Sequence, residues 1–179
     1  YHMKWSKTNV YSTYHICWGA QAGLYYHYGI PKYMLNKKVF GIYPHTSLDV
    51  THPLMRGLDD IFYVPQSRHT EIRMEDIAKV KDLQIISYSE MSGVHIVSDM
   101  DCRNFFVTGH SEYDRDTLAK EYFRDKEKGL DIDMPYNYFP NDDINLVPKV
   151  TWKSTANILI NNWLNYFVYQ KTPYDLNTL

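Results

Sequence analysis

The stretch TYHICWGAQAGLYYHYG, residues 13–29, changes character at a single residue. Before Cys17, residues 9–16 (NVYSTYHI) are rich in β-branched and aromatic side chains, the composition of a strand. After it, WGAQAGLYYHYG takes a helical spacing and closes at Gly29 with Pro31 just beyond, as a helix C-terminus does. A chain that passes from strand to helix at one residue belongs in a layered α/β architecture. The junction side chain is then presented at the carboxyl end of its strand, where open α/β sheets gather reactive groups.

The remaining text supports that architecture. Strand-like runs fall at 39–45 (VFGIYPH), 60–65 (DIFYVP), 83–90 (LQIISYSE), 93–99 (GVHIVSD) and 104–110 (NFFVTGH), with tight turns expected at Met91–Gly93 and Asp99–Asn104. Residues 114–128 place acids in the first turn and lysine in the last, with Gly129 after them, and predict a helix whose stripe is Leu118, Ala119, Tyr122 and Phe123. A loop holding Pro135 and Pro140 follows. Residues 154–170 then predict a long amphipathic helix with Ala156, Leu159, Ile160, Trp163 and Phe167 on one face. No internal repeat or linker divides the chain, so the expectation is one α/β sandwich whose strand order the pattern leaves open.

Charge and cysteine content narrow the function classes. The formal charge of −2 and the lack of a Lys/Arg block speak against a nucleic-acid or membrane-surface partner. No run of about 18 apolar residues occurs and the first residues lack a secretory pattern, so the expected location is the cytoplasm. Cys17 and Cys102 stand in unlike contexts without CxxC spacing, and free thiols are expected rather than a disulfide or a structural zinc site.

Two readings of Cys17 fit these residues. With Gly19 two positions on, it forms half of a nucleophile elbow: the Trp18 amide can donate to an oxyanion, and the helix N-terminus favours a thiolate. Alternatively it is a small buried side chain, as free cysteines commonly are. His110 also stands directly after an apolar strand, which would put it on the same sheet edge as Cys17, and Glu112 is near enough to accept its second ring N–H. Without further information the two are equally a loop histidine and a solvated acid.

His45 and His52 lack metal-ligand spacing and read as surface or structural groups, and His15 as a packed core residue. Cys102 has no evident base beside it. Arg68 and Arg124 are the best placed cations for anchoring a small carboxylate, although Arg124 lies beside its helix stripe, where a solvated face is the simpler reading. The seventeen tyrosines and four tryptophans read mainly as core and strand residues.

Several long motifs stand in order along the chain: STYHICWGAQAGLYYHYGIPKY (12–33), DDIFYVPQSRHTEIR (59–73), FFVTGHSEYDRDTLAKEYFRD (105–125), NYFPNDD (137–143) and NWLNYFVYQKTPYDL (162–176). Together they resemble the homoserine O-acyltransferase family of methionine biosynthesis. The resemblance implies a flavodoxin-like, class I glutamine amidotransferase-like three-layer sandwich. It also implies ping-pong transfer of an acyl group, acetyl favoured over succinyl, from acyl-CoA to L-homoserine, with no resident cofactor and no metal. Cys17 corresponds to the nucleophile that carries the acyl thioester, His110 to the general base, Glu112 to the acid that orients it, and Trp18 to an oxyanion amide. Lys38, Ser67 and Arg124 fall on substrate-binding positions, Arg124 as the carboxylate anchor, and a homodimer is implied as well.

Family members carry further text ahead of these motifs, holding the first strands, a second oxyanion amide and the position that helps select the donor. The expectation is therefore that residues 1–179 form a single incomplete catalytic domain with an apolar sheet edge exposed, poorly active or inactive alone. The competing expectations are a cysteine hydrolase of the glutamine amidotransferase type and a noncatalytic binding module.

Overall fold

The computed structural model describes residues 2–173. A first helix α1 (His2–Asn9) precedes strand β1 (Thr13–Ile16), helix α2 (Trp18–Tyr28) and the long strand β2 (Tyr33–Ser47). Strand β3 (Phe62–Glu71), the single turn α3 (Met74–Ile77), and strands β4 (Leu83–Ser89), β5 (Gly93–Asp99) and β6 (Asn104–Val107) follow. Helices α4 (Thr117–Glu127) and α5 (Lys153–Asn162) complete the fold, the latter continuing into wider π-helical turns at Trp163–Tyr169.

The six strands run in the order β1-β6-β5-β4-β2-β3. β1 and β6 are parallel, with Ile16 opposite Val107, and every other pairing is antiparallel. This mixed pattern follows from the connections: tight turns join β4 to β5 and β5 to β6, while β1 reaches its partner only after a long excursion. The sheet curls, because the backbone N–H of His110, just past β6, donates to the Pro65 carbonyl of β3, at the opposite end of the strand order, at 2.8 Å.

Alternation along β6 makes the layers. Phe105 and Val107 face a core built with Leu54, Val64, Ile86, Ile96, Leu159 and Phe167, which seats α5. Phe106 points the other way, into a core with Ala20, Leu24, Ile77 and Val97, which seats α2 and α3. A third cluster of Phe40, Ile42, Leu118, Tyr122, Tyr138 and Trp152 packs α4 against β2. The three-layer sandwich expected of the chain is thus present.

Several local outcomes differ from the sequence reading: α4 begins at Thr117, which leaves Asp114 and Asp116 ahead of its first turn, and β3 runs on to Glu71, past the expected 60–65. The strand expected over 9–16 is confined to Thr13–Ile16, and residues 2–9 form α1, none of whose side chains is buried. The β2 strand extends well beyond 39–45 because its first residues pair with Glu71 and Thr70 before an irregularity between Met34 and Val39. The end of the 162–176 motif lies outside the described residues.

Candidate functional site

Cys17 is the hinge between β1 and α2. Its N–H donates to the Val107 carbonyl at 2.7 Å, which continues the β1–β6 pairing by one residue and then stops it. Its backbone lies at φ 49°, ψ −112°, a conformation L-residues rarely adopt and one that costs on the order of 1–3 kcal/mol. That is the turn a nucleophile elbow requires. The strain rests on Cys17 alone, because Gly19 has open space around it. The glycine with a packing reason is Gly23, where a Cβ would stand 2.7 Å from Phe106 Cε1, so α2 lies directly on β6. Trp18 is the first residue of α2, and its amide is one of the donors that have no partner within the helix; the indole is exposed.

His110 follows β6 at the same edge, adjacent to Cys17. Gly109 makes this possible: a Cβ there would stand 2.5 Å from Val64 Cγ1 and about 3 Å from the Gln66 and His95 side chains. The imidazole Nδ1 donates to Glu112 Oε1 at 2.6 Å, and the Cys17 thiol is near enough to the ring to favour its charged form. Burial works against the imidazolium, but the contacts with Cys17 and Glu112 outweigh it, and the His110 pKa is pushed up to about 9. Tyr113 stacks on the imidazole, centroids 4.2 Å apart and planes 18° from parallel, which fixes the ring plane. Burial, first, and the nearby Glu121 carboxylate raise the pKa of the Tyr113 hydroxyl.

Ser67 stands in a second cluster. Its Oγ lies 2.9 Å from both oxygens of Glu121, and Lys38 Nζ lies 2.6 Å from Glu121 Oε1 and 3.8 Å from Asp125. Lys38 comes from β2, Ser67 from β3, and Glu121 from α4. The Arg124 guanidinium is half exposed, 2.7 Å from Asp125 and 3.7 Å from Glu121. The resemblance-implied positions Lys38, Ser67 and Arg124 therefore converge on one carboxylate, Glu121, which the sequence reading did not single out. A signal was present: Glu121 and Asp125 interleave with the buried Leu118 and Tyr122 at helical i, i+3, i+4, i+7 spacing, so two acids sit on the face that packs.

The other candidates resolve into structural roles. Arg68 is not a surface anchor; it is buried and its fork is fully engaged by protein acceptors. His15 stacks on Phe106 at 5.1 Å and His45 is sealed in the sheet. The His52 ring nitrogen Nδ1 accepts the Leu54 N–H, so Nε2 carries the proton and points it at Cys102 Sγ 3.5 Å away. His52 cannot serve as a base for Cys102, whose thiol burial pushes up in pKa. Among the described residues no cluster of His, Cys, Asp and Glu could hold a metal ion, both cysteines are free, and no helix is long and apolar enough to cross a membrane.

The strained strand–helix junction with its thiol, the neighbouring histidine–carboxylate pair and the curled α/β sheet are laid out as in a class I glutamine amidotransferase-like fold. Solved structures agree on the fold: a glutamine amidotransferase from Thermotoga maritima superposes with a TM-score of 0.60 at 18% identity, covering 86% of this chain and 61% of that one. The sequence model of the homoserine O-succinyltransferase family matches residues 2–174, and the chain belongs to that family. It is 63% identical to the homoserine O-acetyltransferase of Clostridium beijerinckii and 59% identical to that of Petrotoga mobilis, over 99% of this chain and 58% and 57% of those proteins. The chain thus spans somewhat more than half the length of these relatives.

Proposed function

We propose that the protein transfers an acyl group from acyl-CoA to the hydroxyl of L-homoserine through a thioester on Cys17. The observation that carries this reading is the meeting at one sheet edge of the Cys17–His110–Glu112 chain with the mixed-charge cluster around Glu121, joined by Tyr113. An amino acid that carries an ammonium, a carboxylate and a reacting hydroxyl matches such a cluster in charge. Arg124 and Lys38 suit the carboxylate, and Glu121, held between Ser67 and Lys38, suits the ammonium.

The chemistry follows in two steps. The Cys17 thiolate attacks the donor carbonyl, a C–S bond forms, and the coenzyme thiolate leaves and takes the proton of His110. Homoserine then gives its hydroxyl proton to His110 while its oxygen attacks the acyl carbonyl and the Cys17 thiolate departs. The Trp18 amide donates to the oxyanion in both steps, and Glu112 holds the imidazole throughout. Acyl-CoA enters as co-substrate, with no resident cofactor. Acetyl is the donor favoured, because the relatives compared bear the acetyltransferase name. The family resemblance supports a homodimer in the cytoplasm, and light scattering on the purified full-length natural chain tests the oligomeric state.

The test of the activity is intact-mass analysis of that chain after exposure to acetyl-CoA or succinyl-CoA. An acyl adduct that forms on the wild type, is absent from Cys17→Ala and is discharged by homoserine is the expected outcome. An adduct that survives the substitution, or ammonia released from glutamine without acyl transfer, would overturn it.

A further inference from the structure

The run HSEYD sets an aromatic residue three positions past His110, and the fold turns it back onto the imidazole. The Tyr113 N–H donates to the His110 carbonyl at 3.1 Å, and this tight turn lays the phenol ring face to face with the imidazole, centroids 4.2 Å apart. The turn is also anchored from outside the site. The Tyr113 carbonyl accepts the indole N–H of Trp152 at 2.9 Å, and Trp152 is fully buried in the cluster that packs α4 against β2. The Tyr113 side chain itself packs against that cluster. The ring is therefore held through its N–H, its carbonyl and its side.

A ring so placed can act on the imidazole in two ways, with opposite signs. As a cover it keeps water away, and burial disfavours the charged form. As a π face stacked on a cation it favours the charged form, and more strongly where water is excluded. The His110 side chain is 14% exposed and burial is the largest single influence on it, yet its pKa still lies at about 9. The titratable groups that face the imidazole are Cys17 from the β1–α2 junction and Glu112 from its own loop, both of which favour the cation, and Tyr113. Glu121 of α4 lies near the phenol, and burial, first, together with that carboxylate keeps the hydroxyl protonated where His110 titrates. The stacked ring is thus neutral, and its face electron-rich, throughout that range.

We propose that Tyr113 is a positioning residue that holds His110 in its cationic form as well as in its plane: the phenol ring, tied to the Trp152 cluster and stacked on the imidazole, favours imidazolium over imidazole. The two steps of acyl transfer would use this. His110 is cationic before it gives its proton to the departing coenzyme thiolate, and cationic again once it has taken the proton of the attacking hydroxyl. A ring that stabilises the cation therefore bears on both steps through His110.

The use made of Tyr113 rests on the acyltransfer reading of the site, but its test needs neither homoserine nor a coenzyme. The His110 ring is titrated by NMR in the full-length natural chain carrying carbon-labelled histidine, its signal assigned by its loss in His110→Gln. Cys17→Ala serves as the reference, so that no thiol titrates beside the ring. Onto it are placed Tyr113→Phe, which keeps the stack, and Tyr113→Leu and Tyr113→Met, which keep apolar bulk without it; each is checked for folding by circular dichroism, and the methionine variant guards against misfolding of the leucine one. The leucine and methionine variants are expected to lower the His110 midpoint by about one pH unit. Tyr113→Phe is expected to stay near the reference. A ring that served only as a cover would give the opposite sign, because admitting water raises the midpoint of a buried imidazole. Folded leucine and methionine variants with the reference midpoint or a higher one, or a phenylalanine variant lowered as far as they are, would overturn the proposal. Failure of the acyltransfer reading would show separately, as the absence of an acyl adduct from the wild type while the His110 midpoint still responds to Tyr113.

Discussion

Cys17 and Glu112 act on stability in opposite directions, the first through its backbone and the second through the charge it holds on His110. The backbone of Cys17 sits where glycine would be relaxed. Cys17→Gly is therefore expected to remove the reactive group and yet raise the melting temperature by a few degrees, a comparison that calorimetry makes directly. Glu112 holds the proton on His110, so Glu112→Gln should bring the imidazole pKa down from about 9 and slow thioester formation on the order of a hundredfold or more. The sign of the linked stability follows from the raised value. What the charged imidazole contributes is fully present below pH 6.5 and is lost as pH rises through about 9. Melting curves across that range should show the decline in wild type and little of it in Glu112→Gln, and NMR titration of the ring reports the pKa itself.

Strand β2 and the segment after α4 meet backbone to backbone at Gly41. Gly41, at φ 138°, lies against the backbone of Tyr136, and Ile42 N–H donates to the Tyr136 carbonyl while Tyr136 N–H donates to that of Phe40. Gly41→Ala places a methyl group in that backbone contact. Loss of about 1–3 kcal/mol is expected in denaturant titrations, with a raised KM for homoserine because β2 carries Lys38 and α4 carries Glu121. Elements of this kind were unevenly legible. The strand–cysteine–helix junction announces itself through local chemistry, as does the basic last turn of α4, although that helix begins past the acids expected in its first turn; the Gly29 cap takes the left-handed conformation its position implied. Helix α1 was illegible because none of its side chains is buried, so no apolar period marks it. The curl of the sheet was illegible for another reason: the contact between His110 and the distant Pro65 leaves no periodic trace in either segment. Glu121 was masked by its surroundings, since an acid among lysines on a helix reads as solvated until the opposing strands supply Ser67 and Lys38.

The molecule as a whole carries several imidazoles that must stay neutral to remain buried. The pKa values of His15 and His45 are held down to about 4 by burial, and that of His95 lies well below its ordinary value. A histidine whose folded value is depressed binds its proton more readily when unfolded. Stability is then full above pH 6.5 and falls as pH drops from 6.5 toward 4. The melting temperature should decline steeply through that window, and His15→Phe, which preserves the stack on Phe106, should make the decline shallower; a flat profile in wild type would contradict the assignment. The curl has a further consequence, in time rather than in space. His110 is held by Pro65, Arg68 reaches α2 through Thr70, and Ser67 meets Glu121, so the groups around Cys17 arrive from distant parts of the chain. Such long loops close late in folding. A newly made chain therefore holds Cys17 without its neighbours, and the surroundings that the proposed thioester chemistry needs exist only when the far edge of the sheet has come home.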